Sequence, residues 1–401
     1  MRVLMFSWEY PPFVKGGMGE HVKELVPALL AADAGLELHL LTPAFAGDTS
    51  RERLGALTVH RVRVEEPGTE RFYQQVLSDN NPLEREAEAI FHAAGGFDFM
   101  HVHDWLVSFA ALDLQRLEHV PLLTTIHATE RGRYRGGLYN DLSRAIDGAE
   151  RQLAQRSQRI ITCSRAMRQE VEDYFGIQPQ VIRTIPNGID ASRFDAPIGE
   201  DHTRFRAGYA RPDEKIVFNV GRLVYEKGAD LLVEAAPRVL QQVPEAKFVI
   251  AGRGPMLPAL QQRVREMHLT DKILLTGYLK DEDRDRLYVT ADCCAFPSRY
   301  EPFGIVALES MAAGTPVVVS DVGGLGTVVN HGETGLTTYP ENIESLAWGI
   351  VETLRHPNEA AVRARAARAS VRQSLSWPII AGMTLQVYRE LVDLREAVVV
   401  R

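Results

Sequence analysis

Lys215-Ile216-Val217-Phe218-Asn219-Val220-Gly221-Arg222-Leu223-Val224-Tyr225-Glu226-Lys227-Gly228 decides the fold. A short apolar run ends in a glycine turn carrying two cations, and a helical pattern with Leu231, Leu232 and Ala235 follows. Strand, glycine turn and helix in this order open a doubly wound sheet, and the start of such a helix favours anions. The first half of the chain repeats the plan. Val3 to Phe6 reads as a buried strand, Lys15-Gly16-Gly17-Met18-Gly19 as the turn, and Val22, Leu25, Val26 and Leu29 as one helix face.

Further apolar runs fall at Leu36 to Leu41, Phe99 to Val102, Leu122 to Ile126, Ile160 to Cys163 and Val181 to Ile185. In the second half they fall at Phe248 to Ala251, Ile273 to Thr276, Cys293 to Phe296 and Val317 to Ser320. Strand-length apolar runs separated by helical segments indicate parallel sheets covered on both faces, hence an α/β fold class. With 401 residues, the chain exceeds what one hydrophobic core usually serves. Two domains are expected, 1–195 and 196–377, with a closing helix, 378–401, crossing back to the first. The connection is placed between Pro186-Asn187-Gly188-Ile189-Asp190 and Pro212.

Hydrophobic residues make up 45% and charged residues 24%, and the net charge is -8. That composition is globular, and its acidity disfavours a nucleic-acid partner. Cys163, Cys293 and Cys294 form no CxxC pair, so reduced, buried thiols are expected. The first apolar run is too short for a signal peptide and no stretch is long enough to span a membrane, so a cytoplasmic location is expected.

Four clusters can carry chemistry. The first is Arg299-Tyr300-Glu301-Pro302-Phe303-Gly304-Ile305-Val306-Ala307-Leu308-Glu309. Gly304 through Ala313 reads as a helix stopped by Gly314 and Pro316. The amides around Phe303, Gly304 and Ile305 are then open to a negative ligand, flanked by Glu301 and Glu309. The plainer reading is a capping Glu301 and a solvated Glu309. The second cluster is Arg222 with Lys227, cations suited to a leaving diphosphate, or else two surface charges. The third is the glycine loop with Lys15 and Gly17, where backbone can approach a ligand closely, or a plain tight turn. The fourth is a pair of strand ends, His101-Val102-His103-Asp104-Trp105 and Thr125-Ile126-His127-Ala128-Thr129. Ligands of open α/β sheets bind beyond such ends. Asp104 and His127 can bind sugar hydroxyls there, with Trp105 packing nearby, or both can be buried and satisfied internally. Asp281, Glu282, Asp283 and Asp285 read as acids at a helix start, not as a metal site.

Together these residues resemble the retaining GT-B glycosyltransferases of family GT4 and, more loosely, the bacterial and archaeal glycogen synthases. The likeness covers nearly the whole chain. It rests on Pro11-Pro12…Gly16-Gly17, Pro186-Asn187-Gly188-Ile189-Asp190, Gly221-Arg222…Lys227-Gly228, Ala251-Gly252-Arg253-Gly254-Pro255 and the glutamates 301 and 309. The resemblance implies two Rossmann-like domains facing a central cleft, and a sugar donor of the nucleoside diphosphate type. By likeness, Arg222 and Lys227 hold the diphosphate, Gly17 approaches it, Glu309 binds the ribose and Glu301 the donor sugar near its 3-hydroxyl. His127 matches the family's active-site histidine, Asp104 the Asp of the His-Asp-Trp segment, and Tyr278 the stretch passing the base. Front-face transfer with retained α configuration is implied, with neither metal nor cofactor, and closure of the lobes would exclude water.

The expected donor is ADP- or UDP-glucose and the expected acceptor an α-glucan, with Trp8 as a candidate stacking surface. Phe303 departs from the cysteine usual in bacterial glycogen synthases. Arg131, Arg133 and Arg135 follow His127 and can either be solvated or meet a phosphorylated acceptor, so maltose 1-phosphate synthesis is an alternative. A lipid or cell-wall acceptor is disfavoured by the lack of a basic amphipathic helix. A sugar-nucleotide 2-epimerase or a non-catalytic sensor of the same architecture completes the alternatives.

Overall fold

The structure is a computed structural model and describes residues 1–68, 71–195 and 200–399. The chain divides into two compact units. Unit 1 comprises Met1–Gly188 and Trp377–Arg401, and unit 2 comprises Ile189–Ser376. The first junction lies at Gly188/Ile189, not at 195/196 as expected. The polar stretch after Asp190 belongs to unit 2, where Phe194 is buried and Asp195 pairs with Arg368 at 3.0 Å.

Unit 1 begins with β1 (Arg2–Ser7), α1 (Gly17–Ala32), β2 (Glu37–Ala44), β3 (Ser50–Leu54), β4 (Leu57–Arg63), α2 (Phe72–Ala94) and β5 (Phe99–His103). It continues with α3 (Ser108–Glu118), β6 (Leu122–Ile126), α4 (Glu130–Arg133), α5 (Asp141–Arg156), β7 (Arg159–Thr162), α6 (Arg165–Phe175) and β8 (Ile182–Thr184). Its sheet runs β3-β4-β2-β1-β5-β6-β7-β8. All pairs are parallel except β3 with β4. The strand order reverses direction at β1, which lies between β2 and β5.

Unit 2 holds α7 (Glu200–Arg206), β9 (Lys215–Val220), α8 (Ala229–Gln242), β10 (Ala246–Ala251), α9 (Leu257–Glu266), β11 (Ile273–Gly277), α10 (Asp281–Thr290) and β12 (Cys293–Phe296). It ends with α11 (Ile305–Ala313), β13 (Val317–Ser320), α12 (Leu325–Val328), β14 (Leu336–Thr338), α13 (Ile343–Arg355) and α14 (Pro357–Ser374). The six strands are all parallel in the order β11-β10-β9-β12-β13-β14. The order therefore reverses between β9 and β12, and ligands of open α/β sheets bind beyond the carboxyl ends of strands at such a reversal.

Three strands have no counterpart among the apolar runs. β3 is exposed along its whole length and carries three charged residues, so its identity comes from pairing with β4. β4 mixes polar with apolar residues, and β14 has three residues.

The last helix, α15 (Trp377–Val399), belongs to unit 1. Ile380, Leu385, Tyr388 and Leu391 are buried with Val3, Met5, Val22 and Leu25 in one core. Glu390 receives the guanidinium groups of Arg159 and Arg183 at 2.8 and 2.7 Å, which holds its carboxyl below the usual carboxylate range against the opposing effect of burial. The Tyr388 hydroxyl lies 2.8 Å from His101 Nδ1 on β5.

His101 links that helix to acid sensitivity. Burial holds it neutral, down to about 3, and the adjacent His21 adds to the shift. The unfolded chain takes up a proton at this ring near pH 6.5, while the fold does not. Stability from this group is complete above pH 6.5 and is lost as pH falls toward 3. At pH 5 the expected loss is about 2 kcal/mol. Replacing His101 by Gln should flatten the fall of melting temperature between pH 7 and pH 5. Parallel curves for the two proteins would assign that acid sensitivity elsewhere.

Candidate active site

In unit 2, β9 ends in Gly221-Arg222, and a tight turn, Tyr225–Lys227, leads to α8. Gly228 closes the turn with φ 67°, and a Cβ there would lie 2.0 Å from the Pro297 carbonyl oxygen. The turn after β9 is thus pressed against the loop after β12. Across this contact Lys227 Nζ lies 2.6 Å from Glu301 Oε2. The Glu301 side chain is 9% exposed, and Ser298 Oγ lies 3.5 Å from the same oxygen. These two residues meet where the strand order reverses.

The start of α11 is fixed just as closely. Gly324 N donates to the Glu301 carbonyl at 2.8 Å. A Cβ on Gly324 would lie 2.2 Å from Phe303 Cα, and Phe303 is buried. Gly304 has φ 106° as the residue before the helix, and no acceptor takes the amides of Phe303, Gly304 and Ile305 among the described residues. Three amides with no partner at a helix start favour an anion.

Glu309, on the same helix, is buried and not solvated. Tyr288 donates to its Oε2 at 2.8 Å, and the guanidinium groups of Arg193 and Arg284 each lie 3.6 Å from its Oε1. Burial raises its pKa, and the two arginines oppose that rise. Arg193 is held in turn by Asp285 at 2.6 and 3.0 Å. Tyr278 is exposed, with the Arg253 guanidinium 5.2 Å from its ring centre. Arg222 is exposed on the β9 turn. Asp281, Glu282 and Asp283 form the first turn of α10.

Sequence reasoning passed over Arg299. Its guanidinium binds Asp230 at 2.6 and 2.8 Å, Glu341 at 2.9 Å and the Tyr225 carbonyl at 2.8 Å. It also lies 4.0 Å from the centre of the Tyr225 ring. One buried cation thereby staples the β9 turn to the β12 loop and to the chain beyond β14. Its place beside Glu301 in the motif was the available signal. Arg193 and Arg284 carried none, because only the fold brings them to Glu309.

In unit 1 the glycine loop differs from expectation. Glu9 Oε2 accepts from the amides of Lys15 and Gly16 at 2.8 and 2.9 Å. A Cβ on Gly19 would lie 2.4 Å from the same oxygen. The anion on this loop is the chain's own carboxylate, the side chain of Lys15 pairs with Glu66, and Gly17 begins α1. Trp8 and Trp105 are also not open surfaces. Trp8 is 6% exposed against Phe45, and Trp105 is 8% exposed with its ring stacked on Tyr73 at 5.7 Å. Large aromatic rings at these strand ends find apolar neighbours on α2 and the β2 end, and burying them is favourable. Arg131 is taken by Asp147, at 2.6 and 3.2 Å, and Arg133 and Arg135 also have partners.

The strand ends of β5 and β6 do come together. Asp104 has φ 58°, unusual for a residue with a side chain. Its Oδ1 accepts from the His127 amide at 2.7 Å. Burial pushes its carboxyl up to about 7. His103 Nδ1 lies 3.0 Å from His127 Nε2, with the ring centres 5.3 Å apart and the rings nearly coplanar. His21, from α1, sits 4.9 Å from the His127 ring and donates from Nδ1 to Asn187 Oδ1 at 2.8 Å. Burial holds His103 and His127 neutral, and His21 down to about 4.

Candidate ligand atoms of His21, His103 and His127 lie within 4.8 Å of one another. They fit a metal poorly. His103 Nδ1 and His127 Nε2 are the two ends of one hydrogen bond, and His103 Nε2 has no partner among the described residues to orient it as a ligand.

Residues 15–193 match Glycosyltransferase Family 4, and residues 201–370 match Glycosyl transferases group 1. The glycogen synthase of Mycobacterium tuberculosis is 36% identical over 97% of this chain and 94% of its own. The chain is a family 4 glycosyltransferase. A second relative of this glycosyltransferase is the alpha-maltose-1-phosphate synthase of Mycolicibacterium smegmatis, 29% identical over 98% of this chain and 100% of its own. Among solved structures, the sucrose-phosphate synthase of Thermosynechococcus elongatus matches with TM-score 0.80 and 26% identity, over 98% of this chain and 99% of that one. The fold of the glycosyltransferase is GT-B. No helix among its described residues is long and apolar enough to cross a membrane.

Proposed function

We propose that this family 4 glycosyltransferase moves a glucosyl group from ADP- or UDP-glucose to an α-glucan, with retention of α configuration and without a metal or other cofactor. The observation that carries the reading is the Lys227–Glu301 contact at the strand reversal of unit 2, beside the open amides of Phe303 to Ile305. A diphosphate placed there meets Lys227, Arg222 and the helix start, and its extra charge on departure is stabilised where it forms. Glu301 lies within reach of a sugar attached to that diphosphate and accepts from a hydroxyl near C3. Glu309 accepts from the ribose and Tyr278 covers the base. His127, its amide held by Asp104, contacts the sugar.

The likeness to a glycogen synthase supports the glucan acceptor. The buried, reduced thiols of Cys163, Cys293 and Cys294 suit a cytoplasmic location. A second reading, transfer to a sugar phosphate, is supported by the likeness to a maltose-1-phosphate synthase. Arg131, Arg133 and Arg135 are its candidate phosphate contacts, and each of them already has a partner within the chain.

A panel of nucleotide sugars, each offered with glycogen, maltose, glucose 1-phosphate or buffer alone, tests the proposal. Elongated α-glucan from ADP- or UDP-glucose is the expected product. Maltose 1-phosphate would select the second reading. An altered nucleotide sugar formed in buffer alone would replace transfer by epimerisation.

Replacing Glu309 by Gln leaves an acceptor for Tyr288 but removes the charge facing Arg193 and Arg284. The donor Michaelis constant should rise about tenfold while kcat changes little, the pattern of lost ground-state binding. An unaltered constant would remove Glu309 from the ribose contact.

A further inference from the structure

We infer that His103 is a positioning residue that fixes the tautomer of His127, so that His127 carries its proton on Nδ1 and offers that N–H to the bound sugar. The part concerning sugar rests on the proposed role of His127, whereas the tautomer itself does not.

His101 and His103 alternate along β5 and share one face of the sheet, with ring centres 4.3 Å apart. Both rings are fully buried. His101 uses both nitrogens, with Tyr388 Oη at 2.8 Å from Nδ1 and Thr125 Oγ1 at 2.8 Å from Nε2. His103 uses one. Its Nδ1 lies 3.0 Å from His127 Nε2, and its Nε2 is buried with no protein partner among the described residues.

A single proton lies in the bond between the two neutral rings, and it has two possible homes. If His127 Nε2 carries it, His103 Nδ1 is the acceptor, and neutral His103 must keep its own proton on Nε2. That places an N–H donor in the core with nothing to receive it. If His103 Nδ1 carries the proton, the unpartnered Nε2 is a bare lone pair. Buried donors without acceptors are the rarer defect, so the second arrangement prevails. His127 Nε2 is then the acceptor, and a neutral imidazole with an accepting Nε2 has its hydrogen on Nδ1. The His103 and His127 rings lie nearly coplanar, at an interplanar angle of 23°, as a hydrogen bond in the ring plane requires, and His21 packs against His127 beside it. The Asp104–His127 amide bond fixes the backbone from the other side. His127 is thereby held by its main chain and by one side-chain nitrogen, and the other nitrogen remains for ligand.

Side-chain amides separate this role from simple packing. Asn in place of His103 puts a donor near the Nδ1 position, and Gln puts one near Nε2. His103→Asn should retain kcat within about threefold. His103→Gln and His103→Leu should lose roughly tenfold to a hundredfold, as loss of a group orienting a functional histidine does, with the donor Michaelis constant little changed. Equal loss in Asn, Gln and Leu variants that remain folded would overturn the positioning role. Nitrogen-15 spectra of imidazole-labelled wild-type protein give a readout free of activity and of folding in the variants. The His127 ring, assigned by its absence in His127→Gln, should show a protonated Nδ1 and a bare Nε2. A protonated Nε2 would overturn the inference even if the protein proved to be an active glucan synthase. The Nδ1–H tautomer in a protein without transferase activity would leave the inference standing and refute only the proposed function.

Discussion

Replacing Lys227 by Ala should lower kcat by roughly a hundredfold to a thousandfold, the range for loss of one preorganised contact to transition-state charge. In the proposed reaction the bond from sugar to diphosphate breaks and the diphosphate gains negative charge. Lys227 sits at the end of a turn whose course is fixed by Gly228 against the Pro297 carbonyl, so its charge is in place before the reaction. Its partner in the structure is Glu301, at 2.6 Å. The substitution therefore also leaves a largely buried carboxylate without its cation, which is costly for stability. Two effects are mixed, and a second substitution separates them. Lys227→Ala combined with Glu301→Gln should recover melting temperature relative to Lys227→Ala alone, yet recover no activity. Lys227→Arg keeps the charge but not its compact shape, and should fall between wild type and Ala. Full turnover in a folded Lys227→Ala protein would take Lys227 out of the mechanism.

Replacing Gly252 by Ala should destabilise the protein by about 4 kcal/mol or more, near the upper end for single substitutions. Gly252 follows β10 with φ 143°, a region that side chains rarely enter. A Cβ there would lie 1.8 Å from the Gly221 carbonyl oxygen, which is backbone and has no rotamer to change. The loops after β9 and β10 must separate to admit it. Gly254 beside it is equally confined, since a Cβ would lie 2.3 Å from the Leu223 carbonyl oxygen. Gly221 is the natural control, because a Cβ there meets nothing within 4 Å. Thermal unfolding should show a large drop for Gly252→Ala and a small one for Gly221→Ala. Equal shifts would mean that close approach of these loops is not what holds the site edge in place.

Much of the architecture was legible because buried parallel strands are short, uniformly apolar runs. Val217 to Phe218 and Phe248 to Ala251 are buried throughout, and so are Cys293 to Phe296. β3 escaped notice because Ser50–Leu54 faces solvent and depends on β4 for its hydrogen bonds. The helix before Gly314 was legible from glycine and proline at its end, and that glycine has φ 79°. The site was legible by residue type more than by arrangement. Lys227 and Glu301 stand 74 positions apart, and their contact follows from strand order, which no local pattern encodes. The same holds for Glu309, whose partners come from α10 and from the segment preceding α7. Glu9 on the amides of Lys15 and Gly16 shows the limit of motif reading: a glycine loop advertises an anion site but not which anion occupies it. Trp8 and Trp105 show another, since an aromatic ring at a strand end is equally suited to a sugar and to a core.

The most direct measurement is a crystal structure of the protein with UDP or ADP bound. The account predicts the diphosphate at the carboxyl ends of β9 and β12, within hydrogen-bond distance of Lys227 Nζ and of at least one amide between Phe303 and Ile305, with the ribose against Glu309. A nucleotide bound elsewhere, with Lys227 still paired only to Glu301, would contradict it.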